Sequence, residues 1–305
     1  MDLSIVIVNW NTSALLIQCL DSIYQAAPRL TFEIIVVDNG STDDSVSAIC
    51  NKFPDVRIIS NDLNLGFAKA NNQGLAAGRG RYFLLLNSDT LVLPDALNRL
   101  VAVADHNPGV GIIGPKLLNM DGTLQKSWAS FPTFWSELIG KNFRRRHSVA
   151  NSQFAYEVDW IMGACMLVRA EMVKDVGMLD EDYFMYSEET DWCYRTKRKG
   201  WKVWYLSNSE IYHLGGGSAN RSNLTQLVLL YKSKILFFRK HYGNYQAILL
   251  RYGLALANFL GLIRRAIFRI GKDRNAVRQR LAAQSRLILC LLRDRYPEIN
   301  KQTSK

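Results

Sequence analysis

No CxxC pair, no glycine-rich phosphate loop and no internal repeat occurs in this chain of 305 residues. Each absence narrows the reading. The five cysteines (Cys19, Cys50, Cys165, Cys193, Cys290) are odd in number and scattered. That pattern argues against a disulfide framework and a zinc site, and for a reducing cytoplasm. A secretory leader is not expected either. The first apolar run begins within three residues of Met1, without the basic start and longer apolar core a leader needs. A dinucleotide fold would place G-x-G-x-x-G between the first strand and its helix. Asn9-Trp10-Asn11-Thr12-Ser13 stands there instead, with no glycine. Side chains and a metal would therefore have to handle any phosphates. The apolar run between Arg251 and Arg264 is shorter than the ~20 residues a bilayer-spanning helix takes. No low-complexity tract appears, and nothing resembles a nucleic-acid reading motif.

What is present is a regular alternation. Leu3 to Val8 is a β-branched run, followed by a helical stretch from about Ser13 to Gln25 that Asn9-Trp10-Asn11-Thr12 would cap. Phe32 to Val37 ends in Asp38-Asn39-Gly40-Ser41-Thr42-Asp43, and a helix begins near Asp44. Val56 to Ser60 leads into Asn64-Leu65-Gly66-Phe67-Ala68-Lys69-Ala70-Asn71-Asn72. Tyr82 to Leu86 then runs into Asn87-Ser88-Asp89. Strand alternating with helix predicts an α/β fold, a mostly parallel sheet with helices on both faces. Ligands of such sheets collect at the carboxyl ends of the strands, where these polar loops fall. Asn, Ser and Asp also favour plain turns, so Asn87-Ser88-Asp89 alone decides little.

The segments together do more. Ser4 to Asn11, Val36 to Asp43, Asn64 to Asn72 and Leu86 to Asp89 are followed by Val158-Asp159-Trp160-Ile161-Met162-Gly163-Ala164. Then come Leu179 to Trp192, holding Glu188-Glu189, and His213. In this order they resemble the inverting glycosyltransferase family 2 with the GT-A fold, and in flavour its rhamnosyltransferase-like members that build bacterial surface polysaccharides. The likeness covers roughly the first 215 residues.

The resemblance implies roles. Asp38 would accept from the N3–H of a uracil or thymine ring, with Trp10 beside the base; a turn Asp and a core Trp are the plain alternatives. Asn64, Gly66 and Asn72 would lie near the nucleotide, Asn72 being equally readable as a polar helix residue. The family's first metal-motif aspartate is Asn87 here, a weaker ligand still able to bond a ribose hydroxyl. That leaves Asp89 as the main ligand for Mg2+ or Mn2+, with His213 near the diphosphate. Imidazole suits Mn2+ better, though a lone His is often structural. Glu189 matches the family's general base and Glu188 is its neighbour. Two acids at a helix start also suit the helix dipole. Trp160 and Gly163 would line the sugar and acceptor sites, a buried strand Trp being the equal alternative for Trp160. The donor expected is a dTDP- or UDP-sugar in preference to a GDP-sugar. Phe131 to Tyr156, with Arg144-Arg145-Arg146-His147, reads as a flexible loop over the acceptor side or, equally, as a solvated charged loop with no role.

Charge divides the chain. Residues 224–305 carry 17 Lys and Arg against three acids, a surplus of 14 that exceeds the whole chain's +11 and leaves the earlier part at −3. With Gly215-Gly216-Gly217-Ser218 as a joint, residues 1–220 read as the catalytic domain and 221–305 as a basic helical region. At 100° per residue, Tyr252, Leu256, Phe259, Leu260, Ile263, Ile267 and Ile270 share a side. Arg251, Asn258, Arg265, Arg269 and Lys272 share the other, and Leu254 and Leu262 blur the pattern. Such a helix suits an anionic membrane surface, and a lipid-linked saccharide acceptor would explain both faces; an ordinary helix packed on the catalytic domain is the plain alternative. The expected place is the cytoplasm, peripheral on the inner face of the membrane, with no nucleic-acid partner. Two other functions fit the same features: a noncatalytic nucleotide-sugar binder and a membrane-docked scaffold.

Overall fold

The computed structural model describes residues 1–26, 29–139, 154–215, 224–267 and 285–293. The first half alternates: β1 (Leu3–Asn9), α1 (Ser13–Gln25), β2 (Phe32–Asp38), α2 (Ser45–Lys52), β3 (Arg57–Ser60), α3 (Phe67–Ala77) and β4 (Tyr82–Asn87). Next come β5 (Thr90–Val92), α4 (Ala96–His106), β6 (Val110–Leu118), β7 (Leu124–Gln125), β8 (Trp128–Ala129) and α5 (Phe134–Ile139). Then follow β9 (Ala155–Glu157), β10 (Trp160–Ile161), β11 (Cys165–Arg169), α6 (Ala170–Val176), α7 (Glu188–Arg198) and β12 (Lys202–His213). Two long helices, α8 (Leu224–Tyr242) and α9 (Asn244–Ile267), come after, and 285–293 is also helical.

The main sheet runs β3-β2-β1-β4-β11-β6-β12-β5. Strands β1, β2, β3 and β4 pair in parallel, as do β6 and β12, while β11 and β5 run against their neighbours. The central strands read as unbroken apolar runs because both their faces are covered. Leu3, Ile5 and Ile7 face one core with Leu16, Cys19, Leu20 and Ile23 of α1, spaced on a single helical stripe. Val6 faces the opposite core, under α3. There α3 crosses so closely that a Cβ on Gly74 would lie 2.2 Å from Val6 Cγ1, so the position requires glycine.

Register brings the polar strand ends to one edge. Asn9 pairs with Asp38, Val8 with Asn87, and His213 with Thr90.

Four expectations need correction. By apolar pattern the strand before His213 covers Lys202 to Tyr205; β12 in fact runs on from Lys202 to His213. A register shift between Leu206 and Glu210 lets the polar stretch Ser207-Asn208-Ser209 pass through the ladder, and a bulge of this kind hides a strand from periodicity. Thr12 does not cap α1 with its side chain. Its hydroxyl serves Asn9 Oδ1 at 2.7 Å and lies 2.9 Å from Ser88 Oγ, while Asp43 Oδ2 accepts from Ser13 N at 3.0 Å. The supposed loop from Phe131 begins with α5, which packs on α9. Arg144, Arg145, Arg146 and His147 lie outside the described residues. Finally, Asn244–Ile263 is a 20-residue stretch long and apolar enough to cross a bilayer by length and composition, because Arg251 interrupts it only once. One flank of that stretch is already covered by protein: Ala247, Leu250, Leu254 and Ala255 are buried in a core with Phe237 and Phe238 of α8 and Tyr183.

Candidate active site

The loops after β1 and β2 are tied at their roots. Asn9 Nδ2 donates to Asp38 Oδ1 at 3.0 Å and to Ser41 Oγ at 3.1 Å, and Ser41 N donates to Asp38 Oδ2 at 3.0 Å. Asp38 is 3 % exposed. Each of its oxygens has one protein donor, which leaves each a second lone pair. Trp10, one residue beyond the pair, is half-buried. The loop after β3 is pinned in turn. Asn64 Oδ1 accepts from Asn39 Nδ2 and from Gly66 N, both at 2.9 Å. Gly66 sits at φ +91, and a Cβ there would lie 2.6 Å from Phe184 O. Phe67 N also donates to Phe184 O at 2.7 Å. Asn72 lies elsewhere on α3: its amide clamps Leu179 through both backbone groups and reaches Glu181. Its hydrogen bonds go to the 179–181 segment and not toward the strand-end loops.

Asn87 ends β4 and Asp89 follows in the tight turn to β5. His213, at the end of β12, turns Nε2 to within 3.3 Å of Asp89 Oδ1 and 3.4 Å of Asn87 Nδ2. Asn87 Oδ1 is buried and has no hydrogen-bond partner. An orphaned buried acceptor costs about 1–3 kcal/mol, so its retention beside Asp89 and His213 points to a missing electropositive group. Among the described residues no cluster of three or more His, Cys, Asp or Glu could hold a metal. Asp89 Oδ1 and His213 Nε2 could supply two ligands. That fits a hard cation which keeps waters and takes phosphate oxygens for its other positions.

Glu188 and Glu189 open α7 after two residues with left-handed backbone, Tyr186 at φ 71 and Ser187 at φ 66. Glu188 is 5 % exposed. Glu189 is half-buried, yet Oε2 of each is out of contact with solvent and unpartnered. Burial pushes the Glu189 carboxyl up to about 7, against the pull of backbone N–H groups at the helix start. Burial, and then the charge of Glu189, push Glu188 well above the usual carboxylate range. A carboxyl near neutrality in a recess can take a proton at working pH.

Gly163 closes the gap between the two clusters. A Cβ on it would lie 3.5 Å from Glu189 Cβ and 3.8 Å from Phe67 Cε1. Ala164 O, the next residue's carbonyl, accepts from Asn87 N at 2.9 Å. Trp160 is half-buried, and its Nε1 donates to Ser130 O at 2.9 Å. The arrangement thus joins Asn9, Asp38, Asn87, Asp89 and His213 along the sheet edge, with Gly163 and Glu189 beside them.

Residues 4–177 match the family model described as glycosyl transferase family 2. The chain belongs to glycosyl transferase family 2. Among curated relatives, an N-acetylglucosaminyl-diphospho-decaprenol L-rhamnosyltransferase of Mycobacterium tuberculosis is 29 % identical over 285 residues, covering 85 % of this chain and 92 % of that protein. A low-salt glycan biosynthesis hexosyltransferase of Haloferax volcanii is 27 % identical over 213 residues, 65 % of this chain and 62 % of that one. Solved structures share the fold. A mannosyltransferase of Pyrobaculum calidifontis, solved with GDP-Man and Mn2+, gives a TM-score of 0.60 at 18 % identity, over 96 % of this chain and 88 % of that chain. GalNAc-T7, solved with UDP, GalNAc and Mn2+, gives 0.62 at 15 % identity, over 97 % and 58 %. The fold is therefore GT-A and the protein is a glycosyltransferase.

Motif reading overlooked several residues. Phe184, whose carbonyl braces the Gly66 turn, stands in an aromatic run with no spacing signal. Gln125 bonds His213 Nδ1 across 88 residues of sequence. His241 bonds Asp191 across 50. Nothing local marks either pair.

Proposed function

We propose that this glycosyltransferase moves a sugar, rhamnose or another hexose, from a dTDP- or UDP-type donor to a lipid-linked saccharide at a membrane surface, with inversion. One observation carries the reading: Glu189 Oε2 is buried without a partner, and its side chain lies beside Gly163, one peptide from the Asn87 loop. Glu189 takes the proton of the acceptor hydroxyl as that oxygen bonds to the anomeric carbon. The bond from that carbon to the diphosphate breaks, and its electron pair leaves with the diphosphate. A single displacement of this kind inverts the anomeric centre. Asp38, through its remaining lone pairs, accepts from the base, with Trp10 beside it. Asp89 and His213 would hold Mg2+ or Mn2+, with Asn87 Oδ1 within the same cluster; when bound, the ion neutralises charge on the departing diphosphate. Glu188 is the less suited base because it is the more deeply buried of the pair.

The C-terminal helices favour the membrane part of this reading. Tyr245, Ile248, Leu249, Tyr252, Leu256, Phe259, Leu260 and Ile263 of α9 are all exposed. They fall within an arc of about 120° at 100° per residue. The opposite flank is used in packing on α8, so the helix is suited to lie in an interface with one side on protein and the other in lipid. Trp135 on α5, which packs on α9, is exposed as well. The basic surplus of residues 224–305 suits anionic headgroups. Residues 1–220 would then act as the catalytic unit and 221–305 as the membrane-associating one.

The test is transfer itself. The full-length protein with Mn2+ and a panel of nucleotide sugars should release nucleoside diphosphate, faster with a prenyl-diphosphate saccharide acceptor and with anionic vesicles. Release unaffected by Glu189→Gln would remove Glu189 from the chemistry. Binding of donor without any turnover would return the protein to a binding module.

A further inference from the structure

His213 does not stand alone against Asp89; a directed chain of hydrogen bonds reaches it from the turn between β6 and β7. Asp121 Oδ1 accepts from Thr123 Oγ1 at 2.6 Å. Thr123 Oγ1 accepts from Asn119 Nδ2 at 2.9 Å. Asn119 Oδ1 accepts from Gln125 Nε2 at 3.0 Å, and the same Gln125 nitrogen donates to the carbonyl of His213 at 3.2 Å. Gln125 Oε1 then lies 2.7 Å from His213 Nδ1.

The direction of this chain follows from its end. A carboxylate accepts only, so the Thr123 hydroxyl must donate to Asp121. It can then accept from Asn119, which turns the Asn119 oxygen to Gln125. With two acceptors facing it, the Gln125 nitrogen is fixed, and the Gln125 oxygen faces the imidazole. His213 Nδ1 must therefore carry the hydrogen, and in the neutral ring Nε2 presents its lone pair. That lone pair faces Asn87 Nδ2 at 3.4 Å and Asp89 Oδ1 at 3.3 Å. Metal-ligating histidines are held in tautomer and orientation by just such a partner on the other nitrogen.

We propose that Gln125 is a positioning residue of the cation site: its side-chain oxygen holds His213 in the Nδ1–H form, so that Nε2 serves as a ligand beside Asp89. This rests on the metal reading of that cluster. Gln125 itself touches neither donor nor cation.

Two measurements on the full-length protein test it, and neither needs turnover. In the metal-free parent, nitrogen-15 NMR of the imidazoles should show His213 with the hydrogen on Nδ1, the tautomer less favoured by a free histidine. An Nε2–H ring would overturn the proposal, whatever the variants do. Mn2+ binding, followed by the loss of the free-ion electron paramagnetic resonance signal in the presence of UDP or dTDP, gives the second. Gln125→Leu should weaken Mn2+ by about 10- to 100-fold, the usual cost of losing such a partner. Gln125→Glu keeps an acceptor for Nδ1–H but sets its second oxygen against the Asn119 and His213 oxygens, so it should recover part of that loss. In a His213→Ala background Gln125→Leu should have no further effect. Parental Mn2+ affinity in Gln125→Leu, or an equal loss in both backgrounds, would overturn the proposal and leave the cation site standing. Absence of Mn2+ binding by the parent with either nucleotide would overturn both.

Discussion

Glu189 and Asp191 stand two residues apart on one helix, and the protein treats them in opposite ways. Asp191 is 1 % exposed and partnered on both oxygens: His241 Nε2 lies 2.6 Å from Oδ1, and Arg195 Nε donates to Oδ2 at 2.7 Å. Burial alone would push its carboxyl up, but the His241 hydrogen bond and the Arg195 charge outweigh burial and hold it below the usual range. Glu189 has lost water and gained no such partner, so its carboxyl rises to about 7. A buried carboxylate with matched side-chain donors holds structure together; a buried carboxyl without them stores the capacity to take a proton. Asp191 also links regions, since His241 lies in the last turn of α8 while α7 carries Glu188 and Glu189. Ser233 and Lys240 of α8 extend the link to Met185, Asp180 and Asp182.

The sharpest way to break the comparison is to remove each charge. Glu189→Gln should lower turnover about 10²–10⁴-fold, the usual cost of losing a general base, with an unchanged or slightly higher melting temperature. Asp191→Asn should do the reverse. It leaves His241 and Arg195 without their anion, and breaking a buried pair costs about 3–5 kcal/mol, read as a lower denaturant midpoint. If Asp191→Asn proved catalytically dead at full stability, or Glu189→Gln unfolded, the division of labour would be wrong.

Acidity offers the next test. Glu189 acts as base only when ionised, so turnover should fall as pH drops through about 7, approaching tenfold per unit below it. Stability moves in the opposite sense at this residue. Its folded pKa lies above the unfolded value of 4.5, so the folded state holds the extra proton, and its contribution is full below 4.5 and lost as pH rises toward 7. Asp191 has a lowered folded pKa, so its contribution is present above 3.8 and is lost as pH falls through the lowered value. The difference in stability between parent and Glu189→Gln, measured by urea titration, should therefore grow in favour of the variant from pH 4.5 to 7. A flat difference would mean that Glu189 is not buried in solution as it is here.

What could be read from the sequence follows the same line between local and distant partners. The strands at Leu3, Phe32 and Tyr82 were legible because double-sided burial makes their apolar runs continuous, and the loops after them because polar triplets interrupt those runs. The acidic pair at the head of α7 was legible from motif order. The end of β12 was not, since Ser207-Asn208-Ser209 looks like a turn and only a ladder irregularity reveals the strand that delivers His213. Gln125 was invisible because a two-residue strand has no period. Asn72 read as a nucleotide neighbour from its place in the Asn64 to Asn72 segment, while its hydrogen bonds go to Leu179 and Glu181. The apolar side of α9 was visible from spacing. Its second, buried side, with Leu254 on it, appeared only as noise.

A smaller effect is expected at Gly163. An added methyl would meet Glu189 Cβ and Cγ at 3.5 and 3.7 Å, ordinary contacts, so Gly163→Ala should fold normally. It narrows the space beside the base, and we expect a several-fold rise in acceptor KM with kcat changed less. An unchanged KM would place the acceptor away from Gly163. A loss of folding would show that the glycine serves the backbone instead.

The least effect on chemistry should come from α9, where the comparison becomes one between two sides of a helix. Leu250 and Leu254 are buried, so Leu254→Gln should destabilise the protein; Leu256, Phe259 and Ile263 are exposed, so their joint replacement by Gln should not. The triple variant should keep its melting temperature and its turnover on a water-soluble acceptor. Its sedimentation with anionic vesicles should fall at least tenfold, because each large apolar side chain moved from water into lipid contributes about 1.5–3 kcal/mol. Salt should weaken the parent's binding only in part, since the basic residues contribute about 1 kcal/mol each and are screened while the apolar burial is not. Parental vesicle binding by a folded triple variant would leave that exposed stripe without its lipid role. Turnover lost on the soluble acceptor would show instead that the outer side of α9 supports the Asp191–His241 link from a distance.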